Sequence, residues 1–380
     1  MIYLTYNDQP SGVYSSQVID TVNFMGESHF CRIRLVAFIS MRGFKTNRSK
    51  IKAENPGALV LPIIPRAMQS FFSKILFWMI CLSRGERSVI CRNVLACQLA
   101  FFARRAGLAM RICYDGRGAI AAEWNEYEVV PSQKMKKAIY GLEREAVLNS
   151  DFRIAVSQQL INHWQTAFEY HGSEHVVIPC TVNSGFRQGL PSENKITAIR
   201  QALDYSPDDF VLVYSGSTAG WQSFSTLGLM LKTALSSSPK VKLLFLSGPD
   251  PAIAEIKTAF LGQVERKWLK HTEVTDTLLA CDAGILFREQ SVTNKVAAPT
   301  KFAEYLSAGL PVIISEHLGD YSDFVREQKC GQVLDGTDEI KINPVSYAEK
   351  ERLNKLVFTF FTKQSQKENY LRVVSAINSN

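Results

Sequence analysis

The sequence predicts an α/β protein built from two parallel-sheet domains. Its 380 residues suffice for two domains that each bury a core. Short apolar, β-rich runs alternate with helix-length segments in both halves, the pattern of parallel strands joined by helical crossovers. Between the halves, after Pro179, the segment CTVNSGFRQGLPSENK turns rich in Ser, Asn, Gly and Pro, as linkers do. These signals place an N-terminal domain at 1–182 and a C-terminal domain at 190–361.

In the first half the expected strands are Ile2–Tyr6, Arg34–Ile39, Leu59–Ile64, Ser88–Cys91, Arg111–Tyr114, Phe152–Val156 and Val176–Pro179. Each is a short run rich in Val, Ile, Phe or Tyr, bounded by polar or Gly/Pro residues. The second series is Phe210–Ser215, Val241–Ser247, His271–Val274, Ala283–Phe287, Val312–Ile314 and Gln332–Leu334. The tail Tyr347–Ser379 reads as helix. No short internal repeat is visible.

Composition narrows the class. Hydrophobic residues at 46% and charged residues at 21% are those of a globular chain. The eight cysteines form no CxxC pair and sit mostly in apolar runs, so the expectation is buried free thiols in a reducing compartment. The six histidines show no metal spacing, and no metal is expected. The start MIYLTYND lacks a basic region and a signal-length apolar core, which points to the cytoplasm. No apolar run reaches the roughly 18–20 residues of a spanning helix.

Forty-three Lys and Arg face 36 Asp and Glu, a net charge of +7, and the cationic excess lies in the N-terminal half. Such a half can meet anionic lipid or a lipid-linked diphosphate. Without RNP-like, zinc-finger or basic-region patterns, nucleic acid is not an expected partner. Within 66–87, the block ILFWMICL is flanked by Arg66, Lys74, Arg84 and Arg87. It reads either as an interfacial helix with Phe77 and Trp78 inserted at the inner face of the plasma membrane, or as a core helix.

The most informative stretch is Cys281–Ser315, CDAGILFREQSVTNKVAAPTKFAEYLSAGLPVIIS. It reads as strand, loop, helix, strand. Ala297–Gly309 carries helix punctuation, with Pro299 near the first turn and Gly309 past the last. A helix that begins beside the carboxyl end of a buried strand stands where α/β sheets bind ligands, and its amino end favours an anion. Lys301 and Glu304, three apart, share one helical face. They suit the phosphate and ribose of a nucleotide; equally, they suit a solvated ion pair.

The run PTKFAEYLSAGLPVI resembles the donor-nucleotide helix of family-4-type retaining glycosyltransferases of the GT-B fold, of the kind that builds bacterial surface polysaccharides such as capsule and lipopolysaccharide. VLVYSGSTAGW, LLFLSG, GDYSDFV and GQVLD resemble other C-terminal segments of that family. YLTYNDQPSGVYSSQV, YDGRGAIAAE and AVSQQL resemble N-terminal ones in the family's order. The resemblance implies two Rossmann-like domains facing a cleft, with the last helix, 362–380, returning to the N-terminal domain.

It further implies a nucleotide-sugar donor on the C-terminal domain. Glu304 would hold the ribose, with Lys301, Arg288 and Lys295 near the diphosphate, and Ser215, Gly216, Gly220 and Thr300 lining the site. The acceptor, a glycan that is lipid-linked or carried on polyprenyl diphosphate, would meet Ser11, Gly12, Arg92, Asp115, Arg117 and Glu123. Three departures stand out. The loop after Tyr214 lacks the family's Arg and Lys, and Val296 replaces the first Glu of the family's Glu-x7-Glu pattern, with Glu289 nearby. Arg92 stands where the family often has a His.

The expected activity is metal-independent sugar transfer with retention, without a bound cofactor. A nucleotide-sugar epimerase or a non-catalytic scaffold subunit are the alternatives. A nicotinamide dehydrogenase is disfavoured because no GxGxxG follows a strand.

Overall fold

The computed structural model describes every residue outside 29–30, 64–68, 130–131, 187, 217–223, 270, 336–337 and 379–380. The chain forms two compact units. Met1–Ser184 with Lys363–Asn380 make the first, and Gly185–Thr362 make the second.

The first unit holds seven parallel strands. They are β1 (Ile2–Tyr6), β2 (Arg34–Ser40), β3 (Leu59–Ile63), β4 (Ser88–Arg92), β5 (Arg111–Gly116), β6 (Phe152–Ala155) and β7 (His175–Val177). Their order is β3-β2-β1-β4-β5-β6-β7. All five residues of β1 are buried, as expected of a central strand covered by helices on both faces. Its register sets Tyr3 opposite Leu35 on one side and Ile90 on the other. The terminal helix Lys367–Asn378 closes one face, burying Tyr370, Val373 and Ile377 in the same core as Tyr3, Val18 and Ile90.

The second unit repeats the plan with β8 (Phe210–Ser215), β9 (Val241–Leu246), β10 (Val264–Lys267), β11 (Ala283–Leu286), β12 (Val312–Ser315) and β13 (Gly331–Leu334). All are parallel, in the order β10-β9-β8-β11-β12-β13. Both units are Rossmann-like.

Three sequence expectations fail here. His271–Val274 opens a helix, His271–Leu279, and the strand in this region is the earlier β10. β10 is an edge strand reading VERK, with Glu265 and Arg266 exposed, so it carries no apolar run to announce it. Pro179 also falls outside β7, which ends at Val177. The helix expected over Ala297–Gly309 is shorter, spanning Thr300–Ser307. Pro299 sits at its amino cap, and Gly309 leaves it at a φ of +72°.

All eight cysteines are free, and all but Cys31 are buried. Among the described residues no helix is long and apolar enough to cross a membrane. The helix within 66–87 is Gln69–Arg84, and Arg66 lies outside the described residues. Phe77 is wholly buried, so it is a core residue and not one inserted in lipid. Trp78 is half-buried.

Candidate functional site

In the second unit the strand order reverses between β8 and β11. The carboxyl ends of two adjacent strands diverge at such a point and leave a crevice for ligand. Tyr305, wholly buried on the helix Thr300–Ser307, ties the two strands together there. Its phenol accepts from the Ser215 amide at 2.8 Å and donates to the Ile285 carbonyl at 3.2 Å. A Cβ on Gly284 would overlap the Tyr305 ring, so glycine in β11 is what lets the ring lie against the sheet.

That helix is buried along most of its length. Phe302, Ala303, Tyr305 and Leu306 face the core, and Phe302 stacks on Tyr321 with ring centroids 4.2 Å apart. Glu304 is nearly buried, and its Oε2 accepts from Lys301 Nζ at 2.6 Å. The pair is therefore neither an ordinary solvated bridge nor two independent ligand groups. Lys301 orders the carboxylate and leaves Oε1 without a hydrogen bond to any described residue. Thr300 opens the helix and is half-buried.

The loop after β11 is organised by Asn294. Its side chain accepts from Arg288 Nη1 at 3.3 Å and donates to the Glu289 carbonyl at 3.1 Å, while its backbone carbonyl accepts from Gly319 at 3.2 Å. The Arg288 amide donates to Ser315 Oγ at 3.1 Å, which pins this arginine to the end of β12. Arg288 also lies near enough to Tyr214 for its charge to oppose the rise that burial imposes on the phenol. Lys295 and Glu289 are exposed. Val296 is buried as an apolar residue, which accounts for the missing glutamate in packing terms.

Backbone cradling of phosphate by Ser215 and Gly216 does not hold. The Ser215 amide is used by Tyr305 and the Gly216 amide donates to the Leu246 carbonyl at 3.2 Å. Gly220, with Trp221, lies outside the described residues.

In the first unit the order reverses between β1 and β4. Ser11 caps the helix that Gly12 opens, accepting from Tyr14 at 3.2 Å. Asp115 does not face solvent, contrary to expectation. Its place in β5 turns it into the layer that holds Tyr3, and it is wholly buried. There it accepts from Tyr3 and pairs with Arg117 Nε at 2.7 Å and Arg92 Nη1 at 3.7 Å. Arg117 is occupied by that carboxylate and by the Ile178 carbonyl at 3.5 Å. These charges are a buried structural cluster rather than an acceptor-facing pair. Glu123, on the helix Ile120–Glu126, is half-buried, and burial pushes its carboxyl up.

The sequence reading missed three residues. Tyr305 is one. Asn93 follows β4 at φ 73° and ψ 164°, a conformation that suits glycine, and is held by its own side chain. That side chain caps the next helix at Ala96 and donates to the Tyr6 carbonyl, both at 3.0 Å. Asp8, beyond β1, lies 3.9 Å from Arg92 Nε, and burial pushes its carboxyl up while Arg92 opposes the rise. All three mark strand ends at an order reversal, a signal that exists only once strand order is known.

Comparison with known proteins agrees with this architecture. Residues 266–370 match the family described as Glucosyltransferase 3-like, C-terminal domain, a segment that contains the helix Thr300–Ser307. No curated protein sequence matches the chain. Among solved structures, a glycosyltransferase from Rickettsia africae superposes with a TM-score of 0.73 at 12% identity, over 100% of this chain and 98% of that one. Sucrose-phosphate synthase from Thermosynechococcus elongatus gives 0.70 at 13% identity, over 99% of each chain. The Anabaena protein HepE, crystallised with UDP and glucose, gives 0.59 at 14% identity, over 99% and 92%. The fold is that of the GT-B glycosyltransferases.

Proposed function

We propose that this chain is a glycosyltransferase whose second unit binds the nucleotide-sugar donor. The observation that carries the reading is Glu304. It is a nearly buried carboxylate, ordered by Lys301, on a helix braced against the strand-order reversal. Its Oε1 is an acceptor suited to a ribose hydroxyl. The family match over this segment and the UDP and glucose bound to the Anabaena protein support the same assignment.

The finer reading is transfer to a hydroxyl of a lipid-linked glycan in cell-surface polysaccharide synthesis, with retention and without a divalent metal. As the bond from sugar C1 to phosphate oxygen breaks, the acceptor oxygen forms its bond to C1 on the same face. The acceptor proton passes to the departing phosphate oxygen. Arg288, fixed by Asn294, and the exposed Lys295 are the cations assigned to the charge that grows on the leaving diphosphate. On the first unit, Ser11, Gly12 and Glu123 remain the assigned acceptor contacts, joined by Asp8, while Arg92 belongs to the buried cluster around Asp115.

The test is calorimetric titration with UDP, GDP, ADP and their sugar conjugates, with and without EDTA, followed by an acceptor screen. Saturable binding of one nucleotide that survives EDTA supports the donor site. Donor turnover without acceptor would replace transfer by epimerisation, and absence of binding to all of them would favour a scaffold.

A further inference from the structure

The amino ends of the first sheet carry a cavity that the proposed reaction does not use. Arg34 opens β2, and Glu86 stands just before β4. The register sets Ile2, at the start of β1, opposite Arg34 on one side and Val89 on the other. At these strand starts lies a cavity of about 450 Å³ lined by Arg32, Arg34, Arg84, Asn55 and Glu86. Ser11 and Gly12 follow the other end of β1, a five-residue strand, so about 16 Å of sheet separates the two places.

Local structure brings the three arginines together. Met1 donates to the Arg32 carbonyl at 3.0 Å and accepts from the Arg34 amide at 3.1 Å. That pairing holds the segment extended, and residues two apart on an extended segment emerge on one side. Arg84 comes from the last turn of the helix Gln69–Arg84. None of the three guanidinium groups pairs with a described residue, whereas Glu86 is engaged by the terminal ammonium at 2.8 Å. A cavity of this volume is about 10 Å across, one Debye length in 0.1 M salt, so the three charges repel one another and act together on a single anion. The fold gains no ion pair from them.

Two unused acceptors share the wall. The Asn55 side-chain nitrogen donates to Asn23 Oδ1 at 2.6 Å, which fixes the amide and leaves its own Oδ1 with no hydrogen bond to a described residue. Glu86 takes the ammonium on Oε2 and leaves Oε1 in the same condition.

We propose that this cavity binds a soluble phosphorylated sugar, its phosphate held by Arg32, Arg34 and Arg84 and its hydroxyls by Asn55 and Glu86. A carboxylate matches a single guanidinium fork, whereas a phosphate monoester, with three terminal oxygens, meets several forks at once. Inorganic phosphate would leave the Asn55 and Glu86 oxygens unused, and the volume is that of a small-molecule site. The inference is independent of the reaction proposed above, and its readout needs neither donor nor acceptor.

The experiment is calorimetric titration of the full chain, at low salt, with glucose 6-phosphate, glucose 1-phosphate, inorganic phosphate and glucose. At least one sugar phosphate should bind saturably, about tenfold more tightly than inorganic phosphate, and glucose should not bind. Excess UDP should not displace it. The double variant Arg32→Ala with Arg84→Ala should bind it about 30-fold more weakly or worse, as loss of hydrogen bonds to charged groups predicts. Both arginines are exposed, and removing like charges relieves repulsion, so the thermal midpoint of the variant without ligand should be unchanged or higher. Loss of binding is then read on a folded protein. Failure of both sugar phosphates to bind would overturn the proposal, as would equal affinity for inorganic phosphate. Displacement by UDP, or undiminished binding by the double variant, would place the ligand elsewhere and overturn it too.

Discussion

Gly284 lies against the ring of Tyr305, and no other residue could occupy its place in β11 with that ring where it is. The contact joins strand, helix and crevice. It brings the Tyr305 phenol between Ser215 and Ile285, the two strand ends that open the candidate donor site.

Gly284→Ala should therefore displace the ring and destabilise the second unit by about 1–3 kcal/mol, as overpacking does. Tyr305→Phe should cost about 1–3 kcal/mol by leaving the buried Ser215 amide unpaired. Urea denaturation measures both. The double variant should cost less than the sum, because the two substitutions break one bracing unit.

Glu304→Ala should lower nucleotide affinity by about 10- to 100-fold, the loss expected from hydrogen bonds to a charged group. Its denaturation midpoint should change little. Near-normal affinity in this variant, measured by calorimetry, would refute the donor assignment.

Asp115→Asn should act on folding. Removing the charge leaves Arg92 and Arg117 facing a neutral group in a buried cluster, a change that costs about 3–5 kcal/mol when an ion pair is broken from one side. Nucleotide binding to the second unit, tested below the unfolding transition, should be retained. A stable Asp115→Asn protein would show that the cluster is not structural.

Glu143 gives a pH dependence. It is wholly buried and accepts from the amides of Ile120 at 3.2 Å and Ala121 at 2.7 Å. Burial pushes its carboxyl up to about 7 from an ordinary 4.5, with the two amides opposing. The folded state therefore holds this proton more tightly than the unfolded chain. Its stabilising contribution is complete below about pH 4.5 and is lost as pH rises through about 7, by roughly 3 kcal/mol at most. Comparing urea midpoints near pH 5 and pH 8 tests this. Glu143→Gln should flatten that difference, and an unchanged slope would exclude Glu143 as its source.

Much of the architecture is written in the chain as local pattern. β1, β8 and β12 are continuous apolar runs because parallel strands are buried on both faces, and such runs need no tertiary context to be read. The helix Thr300–Ser307 is announced by Pro299 and Gly309, and Glu304 by its place within it. β10 was invisible because an edge strand needs only one neighbour and tolerates exposed charge. Tertiary structure alone decided which polar groups are spent. It gave the Ser215 amide to Tyr305, gave Asp115 to Tyr3, Arg92 and Arg117, and left Arg32, Arg34 and Arg84 around an open cavity. The physical reason is that spacing along the chain fixes the face on which a side chain emerges. Strand order and burial fix what that side chain meets.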